Sequence, residues 1–294
     1  MTLTVDNASS NDTAIAYLKK HFKHGLVLDG EFLHVRCCAH ILNLIVCDGL
    51  KDINDSLVRI RDAVRFVRSS PARLATFKKC IKEGNIDSKS ILCLDVPTRW
   101  NSTYLMLEAG VKFEKAFERL EDYDTIYINE EEKPTTRDWE IARIFTKFLL
   151  VFYEVTVRLS GYLYVTSNTI FHEISIVQDC IKKYSNTICH NDVFLQEMAT
   201  KMQEKFDKYW RKTDRTNLFF YVAFVLDPDY KMKFLLHCLN QLFDVDVAKI
   251  VGSKVEGVLR ALFNEYNLSL SVANKGQSSC TIKSSPFRTT SASA

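Results

Sequence analysis

The chain has 294 residues, 47% of them apolar and 26% charged, with 5 prolines and 9 glycines. That suffices for one or two globular domains and excludes a collagen, a linker protein or a mostly disordered chain. The formal charge is +3, but Asn267 onward contains Lys275, Lys283 and Arg288 and no acid, so residues 1–266 hold 36 bases against 36 acids; a compact, uniformly basic phosphate-binding module is excluded, and any nucleic-acid function must rest on local patches.

The chain opens on a short β-favouring run, Leu3 to Val5, followed by the turn and cap formers DNASSND. A strand ending near Asp6 and a helix from about Asn11 or Asp12 through Lys20 are expected, the Asn/Asp acting as N-cap. A single strand is unstable, so Glu31 to Val35 and Ser90 to Leu94 are its expected partners. Next, CAHILNLIVCDGLKDINDSLVRIRDAVRFVRSSPARLATFKKC places Leu44, Ile45, Leu57, Ile60, Val64 and Val67 at helical spacing. Ser69, Ser70 and Pro71 interrupt it, and Pro71 suits the first turn of a further helix.

After PTRWNSTYLML a helix is expected over about 102–120, capped by Asn101 or Ser102. Residues 118–140 then carry nine acids and three bases, and 121–138 is expected to be an acidic linker. From Trp139 the pattern is helical, with helices expected over about 168–185, 190–211 and 246–264. LFFYVAFVLDPDYK reads as a buried apolar segment stopped by Asp227 and Pro228. The Ser/Thr-rich residues 267–294 are expected to be disordered. The resulting organisation is a unit over 1–120 with a basic helical region, the linker, a helical unit over 139–266, and the tail.

Nine irregularly spaced cysteines and a start, MTLTVDN, without the basic and apolar regions of a signal peptide point to a reduced compartment, cytosol or nucleus. No apolar run reaches the roughly 20 residues of a membrane span, so no membrane partner is expected.

Four groups could carry chemistry. Asp6, at a strand end, can face a shared metal site or cap a turn; a two-metal site needs several such acids. Cys37, Cys38 and His40 form a C-x-x-H, which offers half of a zinc site or two packed cysteines and a helix-opening histidine; no second pair of comparable spacing exists. Arg99 beside Trp100 can grip phosphate and stack on an unpaired base, or Trp100 can anchor the core while its neighbours cap the helix. Residues 51–83 hold nine bases against four acids; Arg61, Arg65 and Arg68 share one helical face, which can follow a phosphate backbone or be a solvated face. The face of Lys201, Lys205, Lys208 and Lys212 is a second basic cluster, with Phe206, Tyr209 and Trp210 read as core. G-x-S-x-G, Walker A, G-x-G-x-x-G and H-E-x-x-H strings do not occur.

Taken in order, TVDNASSND, RCCAHILNLIV, DVPTRWNSTYLML, FYEVTVRLSGYLYVTSN, MATKMQEKFDKYW and VLDPDYKMKF resemble the plant hAT-superfamily transposases and their domesticated BED-finger relatives of the RICESLEEPER and DAYSLEEPER type, over about residues 1–236. The resemblance implies an α/β, predominantly helical chain with a partial RNase H-like fold and a large helical insertion. It implies DNA binding and, in active members, cut-and-paste chemistry driven by three carboxylates and a divalent metal. On this resemblance Asp6 corresponds to the second acid, Cys37 and His40 to the C-x-x-H pair, and Arg99 with Trp100 to the residues that handle the DNA end; the stretch from about Trp139 to Phe234 corresponds to the insertion-associated helical domain. The family's first and third acids and its BED finger have no counterpart in these 294 residues. One carboxylate cannot organise an in-line displacement. The expectation is therefore a nuclear DNA-binding protein without transposase activity. It needs no cofactor, magnesium entering only with a complete acidic site, and its partners are DNA and possible pairing with a hAT transposase-like chain or itself.

Overall fold

The computed structural model describes residues 2–51, 55–87, 90, 92–96, 99–128, 133–161, 163, 165–186, 193–211 and 216–277, with the side chains of 269 and 272–277 left aside. The chain is mostly helical, as expected. In order come β1 (Leu3–Val5), α1 (Ser9–Phe22), β2 (His34–Arg36), α2 (Cys38–Gly49), α3 (Asp55–Arg68), α4 (Pro71–Glu83), α5 (Trp100–Lys112), α6 (Glu114–Leu120) and α7 (Thr125–Ile128). They are followed by α8 (Thr136–Leu159), α9 (Ile170–Asn186), α10 (Val193–Trp210), α11 (Phe219–Leu226), α12 (Met232–Leu242) and α13 (Val245–Gln277). Among the described residues no helix is long and apolar enough to cross a membrane.

The two strands pair in parallel, with Leu3 opposite His34, Thr4 opposite Val35 and Val5 opposite Arg36. Parallel neighbours cannot be joined by a tight turn. Here α1 and two 3-10 turns, Lys23–Gly25 and Val27–Gly30, make the crossover. Its last corner is left-handed at Leu28, Asp29 and Gly30, and glycine adopts that conformation without steric cost. The far edge of β2 is closed by a side chain. Asn217 Nδ2 donates to the carbonyls of Phe32 and His34 at 3.0 and 2.8 Å, so these acceptors are satisfied without a third strand.

The expected strand at 90–94 does not form. Ser90 and residues 92–94 are irregular, and the nearest pairing is an isolated antiparallel bridge between Val96 and Arg99. Leu92 is instead buried in the helical core, so this segment is held by side-chain packing rather than by a strand edge.

The 3.6-residue spacing is realised directly in α3, where Leu57, Ile60, Val64 and Val67 are all fully buried. Ser70 caps α4 by accepting from the Arg73 N–H at 3.2 Å, with Pro71 in the first turn. Against α10, helix α2 approaches so closely at Gly49 that a Cβ there would meet Met202 Cγ at 2.5 Å. The single helix expected over 102–120 is two, broken at Phe113, whose φ of −103° leaves the helical region as its ring enters the core against Phe77 and Ala116 follows into α6.

The acidic stretch 121–138 does not separate two cores. Its described residues include Tyr127, buried in the core, and Asp138, buried inside the first turn of α8. One hydrophobic cluster runs from Val35 in β2 through α2 to α6 and α8 to α10 as far as Phe220. A second joins Phe171 of α9 to α11, α12 and α13. Helix α12 is additional to those expected. Helix α13 continues to Gln277, so 267–277 is helical rather than disordered; once a helix is nucleated, each further residue adds a hydrogen bond, and no proline intervenes before Pro286. The remainder of the expected tail, 278–294, lies outside the described residues.

Candidate nucleic-acid interface

The Arg99 turn is built locally. Arg99 donates its N–H to the Val96 carbonyl at 2.8 Å, and the Ser102 N–H returns to the Arg99 carbonyl at 2.9 Å. Ser102 Oγ accepts from the Val96 N–H at 2.7 Å and donates to the Arg99 carbonyl, 2.6 Å away. The N-cap position of α5 is therefore Arg99 itself, without a side-chain cap, and Ser102 acts one turn later as a clasp. Extended backbone at Arg99 turns its side chain into solvent, while Trp100, the first helical residue, is 3% exposed. The tryptophan is thus a core anchor and presents no ring to a base. The guanidinium of Arg99 has no partner among the described residues.

This turn is braced to α3 by an ion pair. Arg61 Nε donates to Asp95 Oδ2 at 2.9 Å, with side-chain exposures of 13% and 1%, and Thr103 Oγ1 donates to the same oxygen at 3.4 Å. Arg61 therefore positions the segment leading into Arg99 and is not part of a solvent-facing stripe. Its partner, 34 residues along the chain, has no signature in spacing, which is why the pairing is not legible in the sequence. Arg65 is exposed and bonded to Asp62 Oδ1 at 3.1 Å. Arg68 is exposed and unpaired among the described residues. Burial raises the pKa of the Cys93 thiol, and the Arg68 charge partly opposes that rise. Two exposed guanidinium groups without a partner among the described residues, Arg68 on α3 and Arg99 at the start of α5, thus belong to the two elements that the Arg61–Asp95 pair ties together.

The second lysine face is less open. Lys205 Nζ lies 3.6 Å from Asp48 Oδ1, tying α10 to α2; Phe206 and Trp210 are buried, and Lys212 lies outside the described residues.

Asp6 sits at the end of β1, exposed, and its carboxylate is engaged in a turn. Oδ1 accepts from the Ala8 N–H at 2.9 Å and from Asn11 Nδ2 at 2.6 Å, which starts α1 in place of the expected Asn11 or Asp12 cap. Cys37 stands at the N-cap of α2 and its N–H extends the β ladder to the Val5 carbonyl at 2.8 Å. Cys38 is buried, and burial pushes its thiol far up, so it is a packed residue and not a thiolate ligand. His40 is half-buried in the first turn of α2. Among the described residues no three His, Cys, Asp or Glu side chains converge as a metal site. The donor set around Asp6 therefore does not fit a two-metal centre, and no chemical step can be routed through one on these residues.

Residues 35–148 match the family model of the ZBED1 RNase-like helical domain, and residues 168–266 match the hAT-like transposase, RNase-H fold. The chain is similar to the zinc finger BED domain-containing protein RICESLEEPER 2 of Oryza sativa subsp. japonica, at 35% identity over 268 residues, 90% of this chain and 36% of the relative. RICESLEEPER 3 of the same organism is 34% identical over 270 residues, 90% of this chain and 34% of its own length. DAYSLEEPER of Arabidopsis thaliana is 29% identical over 262 residues, 88% of this chain and 36% of its own. The chain spans about a third of the length of these relatives.

Proposed function

Because this chain belongs to the hAT transposase-like family, we propose that it is a transposase-derived DNA-binding protein of the nucleus that holds DNA without cutting it. The observation that carries the reading is the pair of exposed guanidinium groups without a partner among the described residues, Arg68 on the helix and Arg99 at the turn that the Arg61–Asp95 pair braces together. Such groups bind phosphate oxygens in a fork and position a duplex without reading its bases. The body is neutral, so these local cations supply the attraction. In support of the absence of strand cleavage, Asp6 uses its carboxylate in the α1 turn and belongs to no cluster of three or more metal-ligating side chains among the described residues. Magnesium has a role only if further acids complete that site.

The test is retention of purified protein on duplex DNA across a salt series, with magnesium-dependent cleavage assayed in parallel. Steep loss of binding with salt and no cleavage are expected. Retention that is equal at low and high salt, or absent at both, rejects the reading, and cleavage abolished by Asp6→Ala rejects its non-enzymatic part.

A second reading rests on α13. Phe263, Leu268 and Leu270 on its outer reach are 69%, 68% and 63% exposed, a concentration of apolar surface that suits pairing with a hAT transposase-like chain or a second copy. Co-purification with a full-length relative would favour it, and strictly monomeric behaviour would remove it.

A further inference from the structure

A cavity of about 390 Å³ opens between α1, β2, the end of α10 and the start of α11. Its walls bring four aromatic rings, Phe32, Tyr209, Trp210 and Phe220, together with Lys19 and Arg36. Strand alternation places His34 on the same face of β2 as Arg36, and it lines the cavity too.

The polar groups there have unused capacity. Lys19 Nζ donates once, to the Glu31 carbonyl at 3.0 Å, and Arg36 donates once, to Asn7 Oδ1 at 3.3 Å. Neither forms an ion pair with an acid among the described residues. Behind this lining, Trp210, 9% exposed, has its Nε1–H sealed from solvent without an acceptor among the described residues, and His34 Nε2 is likewise buried and unpartnered among them. Buried polar groups in folded proteins are almost always satisfied, and an exception asks for an explanation.

The charges around His34 narrow that explanation. Burial lowers the imidazole pKa, Arg36 and Lys19 lower it further, and Asp12 pulls the other way; Glu31 also borders the cavity and Tyr209 faces it from α10. Two cations thus share the lining with an imidazole whose protonation they oppose. An anion would relieve that repulsion by pairing with Lys19 and Arg36. Phosphate alone would leave the ring walls unused, and an apolar guest would leave the cations unused.

We propose that this cavity binds a nucleoside phosphate, its phosphate against Lys19 and Arg36 and its base among Tyr209, Trp210 and Phe220. The site is separate from the Arg68 and Arg99 surface and does not rest on that surface binding DNA. The nucleotide can be free in solution or an unpaired unit of a strand, since both present a base that stacks and a phosphate that pairs.

Calorimetric titration of the full chain with adenosine monophosphate, inorganic phosphate and adenosine tests this. Saturable binding of the nucleotide is expected, with phosphate and adenosine each at least about tenfold weaker. Lys19→Met should weaken the nucleotide about tenfold by removing a hydrogen bond to its charged phosphate, and Tyr209→Ala about tenfold by removing a stacking ring, while Arg68→Ala should not. The nucleotide should also raise the His34 pKa, read from its ring proton by NMR, since an adjacent anion favours the imidazolium. A short single-stranded oligodeoxynucleotide that displaces the nucleotide identifies a strand as the source, and one that does not identifies the free form; both uphold the site. Absence of saturable binding, phosphate binding as tightly as the nucleotide, or variants that bind unchanged would overturn it. Arg68→Ala and Arg99→Ala losing duplex binding while nucleotide binding persists would separate this site from the DNA surface.

Discussion

Arg59 of α3 grips Asp138 of α8 with two parallel hydrogen bonds, Nε to Oδ2 at 3.0 Å and Nη2 to Oδ1 at 2.7 Å. The same carboxylate accepts from the N–H and hydroxyl of Thr135, each at 2.7 Å, closing a capping box at the start of α8. One buried acid thus ends the acidic stretch, caps the longest helix of the large core and fastens it to α3.

Asp138→Asn should cost about 1–3 kcal/mol in chemical denaturation, because the buried carboxylate loses its charge-assisted hydrogen bonds to the half-buried Arg59 and to Thr135. The pH dependence gives a second readout. Burial alone would raise the Asp138 carboxyl, but Arg59, Ser56 and Thr135 together outweigh it and hold the group far below the ordinary carboxylate range. Stability from a depressed carboxylate is complete above its unfolded value, about 4, and lost as pH falls toward the folded value. Below about pH 4 the unmodified chain should therefore lose stability more steeply than Asp138→Asn. Parallel curves would show that the pair does not titrate with folding.

Arg61, Arg68 and Arg99 should separate by function. Arg68→Ala and Arg99→Ala should each reduce the slope of log binding against log salt by about 0.9, the value for one lost phosphate contact, with stability within about 0.5 kcal/mol. Arg61→Ala should do the reverse, lowering stability by about 3 kcal/mol as Asp95 loses its buried partner and leaving the slope nearly unchanged. An unchanged slope in both Arg68→Ala and Arg99→Ala would remove them from the interface.

Gly49→Ala should destabilise the chain by about 1–3 kcal/mol through overpacking, since the added carbon meets Met202 where α2 crosses α10. In a double-mutant cycle, Met202→Ala should cost less in the Gly49→Ala background than alone. Strict additivity would mean that the two residues are not in contact.

Asn217→Ala strips the amide from the Phe32 and His34 carbonyls and from the Phe219 N–H, which donates to Asn217 Oδ1 at 2.9 Å. A loss of about 1–3 kcal/mol is expected for the acceptors left unpaired. Hydrogen exchange should report it locally, with the Leu3 and Cys37 amides that bridge the strands opening faster while α3 amides are unaffected. Uniform acceleration throughout would instead indicate global unfolding.

Most of the helical inventory is readable from the chain alone, because helix formation is local. Leu57, Ile60, Val64 and Val67 announce the buried face of α3, Ser70 and Pro71 its successor's start, and Asp227 and Pro228 the end of α11. The ordered strings around Asp6, Cys37, Arg99 and Trp100 likewise suffice for the family. What each of those residues does was decided by tertiary contacts among side chains far apart in sequence. Arg99 and Trp100 are neighbours, yet one is exposed and the other is core. Arg61 and Arg68 share a helical face, yet Asp95 reaches only the first. The break at Phe113, the Arg59–Asp138 clasp and the cavity at Lys19 and Trp210 have the same origin. Periodicity tells which face of a helix turns inward, but the partner waiting there is chosen by how distant segments pack, and that packing assigns each charge to a brace or to solvent.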